Sequence, residues 1–153
     1  VILGGARTPF ARAGGVFEPL GATDLGRIAM VEALARAGVP AHRVDQVVMG
    51  CAGMPSDAAN PARVAALRAG VPDRVPALTV QRNCASGMEA VAQAATLVEM
   101  DRADVVLCGG MESMSNYAAE LPRSYRRKMA AVARAKGFGP RLGALLRLYV
   151  ATF

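Results

Sequence analysis

ALTVQRNCASGMEAVAQAATLVEMDRADVVLCGG, residues 77–110, is the stretch that predicts the fold of this chain. It begins with a short apolar run, continues with apolar residues at helical spacing, and ends with a second apolar run at residues 103–109. This order is typical of a βαβ unit, in which a helix joins two parallel strands and covers their sheet. The helix is predicted from Cys84 to about Met100, with these apolar residues on one face: Met88, Val91, Ala95 and Val98.

The preceding residues repeat the same alternation of apolar runs and helical patterns. Two more strands are predicted, at residues 1–5 and 44–50. The residues that mark the starts and ends of two further helices are Thr23 or Asp24, Gly38, Asn60, Pro61 and Gly70. The predicted fold class of residues 1–121 is therefore α/β, with a parallel-rich sheet covered by helices.

Composition limits the class of protein. The chain has 153 residues, 53% of them hydrophobic and 20% charged, which is enough apolar material for the core of one ordinary domain. Aromatic residues make up only 5% and Trp is absent, so a base-stacking surface for nucleic acid is not expected. No apolar stretch reaches the roughly 18 to 20 residues of a membrane span, and the first residues lack the layout of a signal peptide. We therefore expect a cytoplasmic protein, or a mitochondrial one in a eukaryote.

The positive charge is confined to the C-terminal tail. Residues 1–121 carry 10 basic and 12 acidic side chains, whereas residues 122–153 carry 8 basic and no acidic ones. The net charge of +6 therefore does not indicate a nucleic-acid surface spread over the fold. The tail is predicted to form a separate unit of two amphipathic helices, at residues 123–136 and 141–153.

Cys84 is the strongest candidate for a catalytic side chain. Right-handed crossovers place all the strand-to-helix corners at one edge of the sheet, where ligands bind in open α/β folds. At one corner, residues 80–87, Cys84 stands at a helix start, where free N–H groups and the helix dipole favour a thiolate. The neighbours predicted to cap this helix, leave room for an acyl group or stabilise an oxyanion are Asn83, Ala85, Ser86 and Gly87. The alternative is a small buried hydrophobic residue, the common fate of a free cysteine.

The other candidate side chains favour structural roles. The cysteines, an odd number, do not indicate a disulfide framework and have no metal-ligand spacing, so Cys51 and Cys108 are interpreted as small packing residues. His42 precedes a strand, opposite the strand-to-helix corners, which favours a surface or capping role. Three acidic residues are interpreted as caps or solvated charges rather than general bases: Asp24, Glu89 and Glu112.

Five motifs make the chain resemble a known family. They are RTPFARAGG at 7–15, DLG at 24–26, NPAR at 60–63, NCASGMEAV at 83–91 and ADVVLCGGMESMS at 103–115. In this order and spacing the chain resembles the thiolases, the acyl-CoA acyltransferases. The resemblance implies a thiolase-like fold of two similar α/β halves and a homodimer. It also implies a catalytic cysteine, matched here by Cys84, that attacks 3-ketoacyl-CoA, releases acetyl-CoA and passes the acyl group to coenzyme A. Coenzyme A would be a co-substrate, with no resident cofactor and no metal.

The tail refines this resemblance. RRKMAAVARAKGFGPRLGALLRL, residues 126–148, resembles the start of the helical loop domain in the β-subunit thiolases of the trifunctional fatty-acid-oxidation complex. That implies fatty acid β-oxidation, and contact of residues 123–147 with a hydratase/dehydrogenase α-subunit or a membrane surface. From charge alone, a solvated helical excursion and a surface for coenzyme A phosphates, anionic lipid or an acidic partner are equally favoured.

The proton-handling residues that the resemblance implies do not occur in this sequence. In thiolases they are the His of a GHP motif, the Asn of an NEAF-like motif and a second Cys in a CxG motif, all from the later half. We therefore expect an N-terminal piece with little thiolase activity alone. Its predicted domains are residues 1–121, lacking the last strands of the first domain, and residues 122–153, the start of the loop domain.

Three alternatives remain open. One is a biosynthetic acetyl-CoA C-acetyltransferase, and the second is a non-catalytic acyl-CoA-binding or assembly subunit with the same fold. The third is a ketoacyl synthase, which also uses a cysteine at a helix start but has a local motif different from NCASG.

Overall fold

The computed structural model describes residues 1–117 and 121–149, and the chain divides into two compact units, residues 1–118 and 119–153. The helices and strands are α1 (Ala22–Ala37), β1 (Gln46–Gly50), α2 (Pro61–Arg68), β2 (Ala77–Val80), α3 (Ser86–Glu99), β3 (Val106–Gly110), α4 (Arg123–Arg134) and α5 (Phe138–Tyr149). Short 3₁₀ turns lie at Ala41–Arg43 and Met114–Asn116. The predicted domain boundary after residue 121 lies close to this division, but residues 118–120 and 150–153 lie outside the described residues.

The strands of the first unit form one parallel sheet in the order β2-β1-β3. The central strand β1 aligns Gly50 with Val80 on one side and with Gly110 on the other, so the carboxyl ends of the strands lie together. Val47 and Met49 pack in the core that α1 and α2 cover, whereas Val48 packs with residues of α3 on the opposite face. The predicted α/β class with a parallel sheet covered by helices is confirmed.

Local sequence chemistry determines the ends of the first two helices. Asp24 is at the third helical position rather than at the cap of α1, and its carboxylate accepts the Gly21 N–H at 3.2 Å. Gly38 ends α1 in the left-handed region, at φ 64°. In α2 the prediction is confirmed, because the Asn60 side chain caps the helix and Pro61 is its first residue.

The strand predicted at residues 1–5 is wrong for this structure. These residues have no regular secondary structure, and the side chains of Val1 and Ile2 are exposed. Gly4 and Gly5 interrupt the apolar run after three residues, and Gly disfavours the interior of a strand. Without burial of the apolar side chains, nothing offsets the conformational entropy that an ordered strand would lose.

The face of α3 that packs against the sheet differs from the apolar stripe seen in the sequence. The buried residues of α3 are small ones, among them Ala90 and Ala94. Met88, by contrast, is 74% exposed and Val98 is 40% exposed. Small side chains allow a helix to approach the strand backbones closely, so packing distance rather than side-chain size selects the buried face. Leu97 packs against the core on this face of the sheet, whereas Met88, Val91 and Val98 form an exposed face of the first unit.

The second unit contains the two helices predicted for the tail, with shifted ends. Helix α4 ends at Arg134, and α5 begins at Phe138, earlier than the predicted residue 141. The two helices pack against each other. Every charged side chain in residues 121–149 is basic. Among the described residues, no helix combines the length and apolar character needed to cross a bilayer.

Candidate functional site

Cys84 lies in a tight turn between β2 and α3, at the carboxyl edge of the sheet. It is exposed, unlike the buried Cys51 and the partly buried Cys108. Helix α3 begins at Ser86 and not at Cys84 as predicted, so Cys84 precedes the N-cap residue Ala85. Its sulfur therefore belongs to the turn that leads into the helix, and the reading of Cys84 as a buried packing residue is not supported by this structure.

Asn83 shapes this turn through its backbone rather than through its side chain. Its φ is 49°, in the left-handed region, which Asn tolerates better than most residues. The predicted role of Asn83 as the helix cap is wrong, because α3 has no side-chain cap. The Asn83 carbonyl instead accepts hydrogen bonds from the backbone N–H of Ser86 at 3.1 Å and from the Ser86 hydroxyl at 2.6 Å.

Ser86 holds both ends of the turn. Its hydroxyl donates to the Asn83 carbonyl and accepts the Arg82 N–H at 2.8 Å. The side chain is buried, and so these two bonds have little competition from water. Ser86 borders the cavity beside Cys84, so the space predicted there for an acyl group stays a prediction, but its hydroxyl is occupied within the turn. It positions Cys84.

The predicted oxyanion donors are only partly available. The N–H groups of Ala85 and Ser86 donate to the carbonyls of Arg82 and Asn83, which contradicts an oxyanion role for these two donors. The Gly87 N–H has no acceptor among the described residues, and Gly87 borders the cavity beside Cys84. Of the predicted supporting residues, Gly87 is therefore the one whose N–H can contribute to an oxyanion site.

Glycines at the strand ends set the height of α3 above the sheet. A Cβ atom on Gly110 would come within 3.1 Å of the Gly87 Cα atom, which is closer than ordinary van der Waals contact. Gly110 is thus required for this close packing, whereas a Cβ atom on Gly87 would lie 3.6 Å from the Gly110 Cα atom, an ordinary contact. The first turn of α3 rests directly on the backbones of β1 and β3.

A cavity of about 600 Å³ opens beside Cys84. It is bordered by the carboxyl ends of the strands, by residues 6–13, and by the apolar side chains of Phe17, Leu25 and Met111. Two basic residues from the same segment, Arg7 and Arg12, also border it. The cavity therefore combines an apolar wall suited to an acyl chain with positive charge suited to an anionic group.

The environments of the other cysteines disfavour their thiolates. Burial, with a smaller contribution from the charge of Glu112, raises the pKa of Cys51 to about 11. Burial also raises the pKa of Cys108. Since the thiolate is the nucleophile, these two cysteines are kept neutral near pH 7, in agreement with the packing roles predicted for them.

The carboxylates have different roles from one another. Glu89 accepts hydrogen bonds from Gln93 and Arg82, which lower its pKa and keep it ionised. Asp24 belongs to the start of α1 and pairs with Arg68 at 3.1 Å. Asp24 thus supports the helix start, near the capping role predicted for it, and both carboxylates form ion pairs that the sequence did not predict.

Glu112 is not the solvated charge that the sequence suggested. Its Oε2 atom accepts the backbone N–H groups of Ala52 and Gly53, each at 2.9 Å, and its Oε1 atom is buried with no hydrogen-bond partner among the described residues. Sequence reasoning missed this contact. The signal that could have indicated it is a carboxylate placed two residues beyond an apolar strand, at the ligand edge of the sheet.

His42 lies at the amino end of β1, away from the carboxyl edge of the sheet. It belongs to the 3₁₀ turn that precedes β1, whereas Cys84 follows the carboxyl end of β2. Arg74 donates to the His42 backbone carbonyl at 2.8 Å. The structure thus does not bring the histidine to the cysteine. Within residues 1–117 and 121–149, no group of three or more side chains has the composition and spacing of a metal site.

Comparison with known proteins shows what the chain is similar to. Residues 1–138 match the family model for the thiolase N-terminal domain. Over 132 residues the chain is 37% identical to an acetyl-CoA acetyltransferase of Syntrophomonas wolfei, which covers 84% of this chain and 33% of that protein.

Two solved structures have a similar fold. The Bacillus anthracis acetyl-CoA acetyltransferase matches with a TM-score of 0.78 and 39% identity, covering 81% of this chain and 32% of that chain. A thiolase from Ascaris suum in complex with coenzyme A matches with a TM-score of 0.77 and 29% identity, covering 80% of this chain and 32% of that chain. The chain therefore spans about a third of the length of the relatives that it matches.

Proposed function

This chain belongs to the thiolase family of acyltransferases, and from that premise we propose that it supplies the nucleophile for thiolytic cleavage of 3-ketoacyl-CoA. The observation that carries the proposal is the position of Cys84, an exposed thiol in a hydrogen-bonded turn beside a cavity at the carboxyl edge of a parallel sheet. The cavity offers an apolar wall for the acyl chain. Arg7 and Arg12 offer positive charge for the phosphates of coenzyme A, which is the co-substrate in this proposal.

The reaction divides into two acyl transfers at the sulfur. The Cys84 thiolate attacks the 3-keto carbon and forms a carbon–sulfur bond, and the bond between carbons 2 and 3 breaks. The electron pair of that bond remains on acetyl-CoA as an enolate, which takes up a proton from an acid. The thiolate of a second coenzyme A then attacks the acyl-Cys84 thioester, and the Cys84 thiolate leaves. The Gly87 N–H is the donor proposed for the oxyanion at the attacked carbonyl.

Trapping the acyl-enzyme tests this proposal. The full natural protein is incubated with acetoacetyl-CoA without free coenzyme A, and the peptide that contains Cys84 is weighed by mass spectrometry. We expect an added acetyl group on Cys84, its loss in Cys84→Ala, and its retention in the matched control Cys108→Ala. An acetyl group on another cysteine, or acyl transfer that survives Cys84→Ala, would contradict the proposal.

The proposed direction is degradative, in fatty acid β-oxidation. Its support is the sequence of the tail, residues 126–148, which resembles the trifunctional β-subunit type. The alternative is biosynthetic condensation of acetyl-CoA, and the names of the relatives favour it. Comparing kcat/KM for acetoacetyl-CoA and a long-chain 3-ketoacyl-CoA separates the two, because a degradative enzyme retains or gains activity with chain length.

The same proposal includes a binding surface on the second unit, residues 119–153, which is called the basic unit below. In residues 121–149 the charge is entirely basic, and apolar side chains such as Phe138 and Leu146 are exposed. We propose that this unit contacts an anionic membrane surface, with an acidic α-subunit as the other outcome. A homodimer is proposed for the full natural protein, and light scattering on that protein measures it.

A different class of function is a non-catalytic acyl-CoA-binding subunit, and alkylation separates it from the enzyme. In the enzyme, iodoacetamide labels Cys84 much faster than Cys51, and acyl-CoA protects Cys84. Equal and slow labelling of both cysteines would favour the non-catalytic subunit. The contrast in exposure between Cys84 and Cys51 supports the enzyme.

A further inference from the structure

Glu112 connects two loops at the carboxyl edge of the sheet. It follows the end of β3, and the neighbouring Met111 N–H donates to the Gly50 carbonyl at 2.9 Å. From this position the Glu112 carboxylate reaches the loop after β1, where one of its oxygens accepts two successive backbone N–H groups, those of Ala52 and Gly53. The contact joins residues 59 and 60 positions apart in the sequence.

The same loop is attached on its other side to the segment that carries the nucleophile. The Cys51 N–H donates to the Val80 carbonyl at 3.1 Å, and the Gln81 side-chain amide donates to the Ala52 carbonyl at 3.4 Å. Val80 and Gln81 precede the Cys84 turn. The loop after β1 thus lies between Glu112 on one side and the nucleophile segment on the other.

The fit around the Glu112 side chain is close. A Cβ atom on Gly53 would overlap the ring of Tyr117 and would come within 2.9 Å of Glu112 Oε1. Because Oε1 is enclosed without a hydrogen-bond partner among the described residues, the carboxylate cannot rotate freely without losing the two bonds at Oε2. Glu112, Ala52 and Cys84 all border the same cavity.

We propose that Glu112 is a positioning residue that holds the Ala52–Gly53 backbone, so that Ala52 forms part of the wall of the acyl site that Cys84 also lines. This inference rests on the proposed acyl transfer at Cys84. Glu112 acts through the loop, because its Oε2 atom accepts the N–H groups of both Ala52 and Gly53. Without the Glu112 carboxylate, the Ala52–Gly53 loop loses this attachment and can shift. A displacement of about 1 Å at a reacting centre can reduce a rate by about 100-fold.

Two substitutions of Glu112 in the full natural protein test the inference. Glu112→Gln keeps a carbonyl oxygen that can accept both N–H groups, whereas Glu112→Ala removes the acceptor. The matched control is Glu32→Ala, which removes a carboxylate from an exposed pair with Arg36 on α1. The measurements are the rate of Cys84 acetylation by acetoacetyl-CoA, the rate of Cys84 alkylation by iodoacetamide, and hydrogen exchange at the Ala52 and Gly53 amides.

We expect Glu112→Ala to slow acetylation by at least about tenfold, and Glu112→Gln to restore it to within about threefold. Alkylation of Cys84 is expected to change less than about twofold in every variant, because the small reagent does not use the wall of the acyl site. General unfolding would instead expose Cys51 and Cys108 to alkylation. Glu32→Ala is expected to behave as the unsubstituted protein.

The outcomes separate this inference from the proposed function. If the unsubstituted protein is never acetylated at Cys84, the proposed function fails, and hydrogen exchange still decides whether Glu112 holds the loop. Faster exchange of the Ala52 and Gly53 amides in Glu112→Ala supports the holding role. Unchanged exchange, or acetylation that is equally fast in Glu112→Ala and the unsubstituted protein, overturns the inference.

Discussion

A Cβ atom added to Gly50 would overlap the carbonyl group of Ser86. Gly50 ends the central strand, and Ser86 begins the helix that follows the Cys84 turn. The contact between these two backbones sets how closely α3 approaches the sheet. The position of the nucleophile therefore depends on a glycine, Gly50, in a strand other than the one that leads to Cys84.

Substitution of Gly50 by Ala is expected to destabilise the fold and displace the start of α3. The added methyl group meets backbone atoms that cannot move aside, and overpacking of this kind costs about 1–3 kcal/mol. Urea unfolding measures the loss of stability. The matched control is Gly5→Ala, because no heavy atom lies within 4 Å of a Cβ at Gly5. Equal stability of the two variants would contradict the close contact at Gly50.

Ser86→Ala is expected to loosen the Cys84 turn. It removes the hydroxyl that joins the Arg82 N–H to the Asn83 carbonyl; the carbonyl keeps the Ser86 N–H, but the partly buried Arg82 N–H loses its acceptor, which costs about 1–3 kcal/mol. We also expect slower acetylation of Cys84, by about tenfold, because the sulfur is less well oriented. The control is Thr96→Ala on α3, whose hydroxyl bonds the Ala92 carbonyl at an exposed site. The idea fails if both variants acetylate at the unsubstituted rate.

Ionisation of the Cys51 thiol is expected to lower the free energy of unfolding at high pH. Its pKa is about 11 in the folded chain against an ordinary value of 9.0, because of burial and the charge of Glu112. A raised pKa means that the folded state favours the neutral thiol, so the stabilisation is complete below pH 9.0 and is lost as pH rises toward 11. Urea midpoints measured across this interval should fall, and the fall should be smaller in Cys51→Ala. An identical pH dependence in Cys51→Ala would exclude this cause.

The purified chain of residues 1–153 is expected to react at Cys84 but to turn over poorly. A general acid or base contributes about 100- to 10,000-fold to such a reaction. His42 is at the opposite edge of the sheet from Cys84, and burial raises the pKa values of Cys51 and Cys108. We therefore expect thiolysis of acetoacetyl-CoA at least about 100-fold slower than in one of the longer acetyl-CoA acetyltransferases that the chain matches. Comparable kcat values for the two would refute this expectation.

The basic unit is expected to bind anionic vesicles through its charge. Arg126→Glu combined with Arg127→Glu reverses two exposed charges on α4, so binding should fall several-fold and should weaken with added salt. The control makes the same change of charge in the first unit, with Arg36→Glu and Arg102→Glu. Vesicle sedimentation measures both. Equal loss in the two variants would indicate a general charge effect and not a surface on α4.

Much of the fold could be predicted from the sequence because its signals are local. Asn60 and Pro61 begin α2 through contacts within one helical turn, and Gly38 ends α1 because few other residues adopt a positive φ. The position of Cys84 at a strand-to-helix corner also follows from neighbouring residues. The failed prediction at residues 1–5 shows the limit, since an apolar run forms a strand only where it gains a partner and is buried.

The sequence by itself determined the α/β class, the family and the candidate nucleophile, because periodicity, helix caps and the NCASG motif are properties of consecutive residues. Only the tertiary structure decided which face of α3 is buried, that the Ser86 hydroxyl holds the Cys84 turn, and that the Glu112 carboxylate binds the loop after β1. These relationships depend on the register of parallel strands and on packing distances at their ends. Register brings residues far apart in sequence within hydrogen-bond distance, and no local pattern encodes that approach.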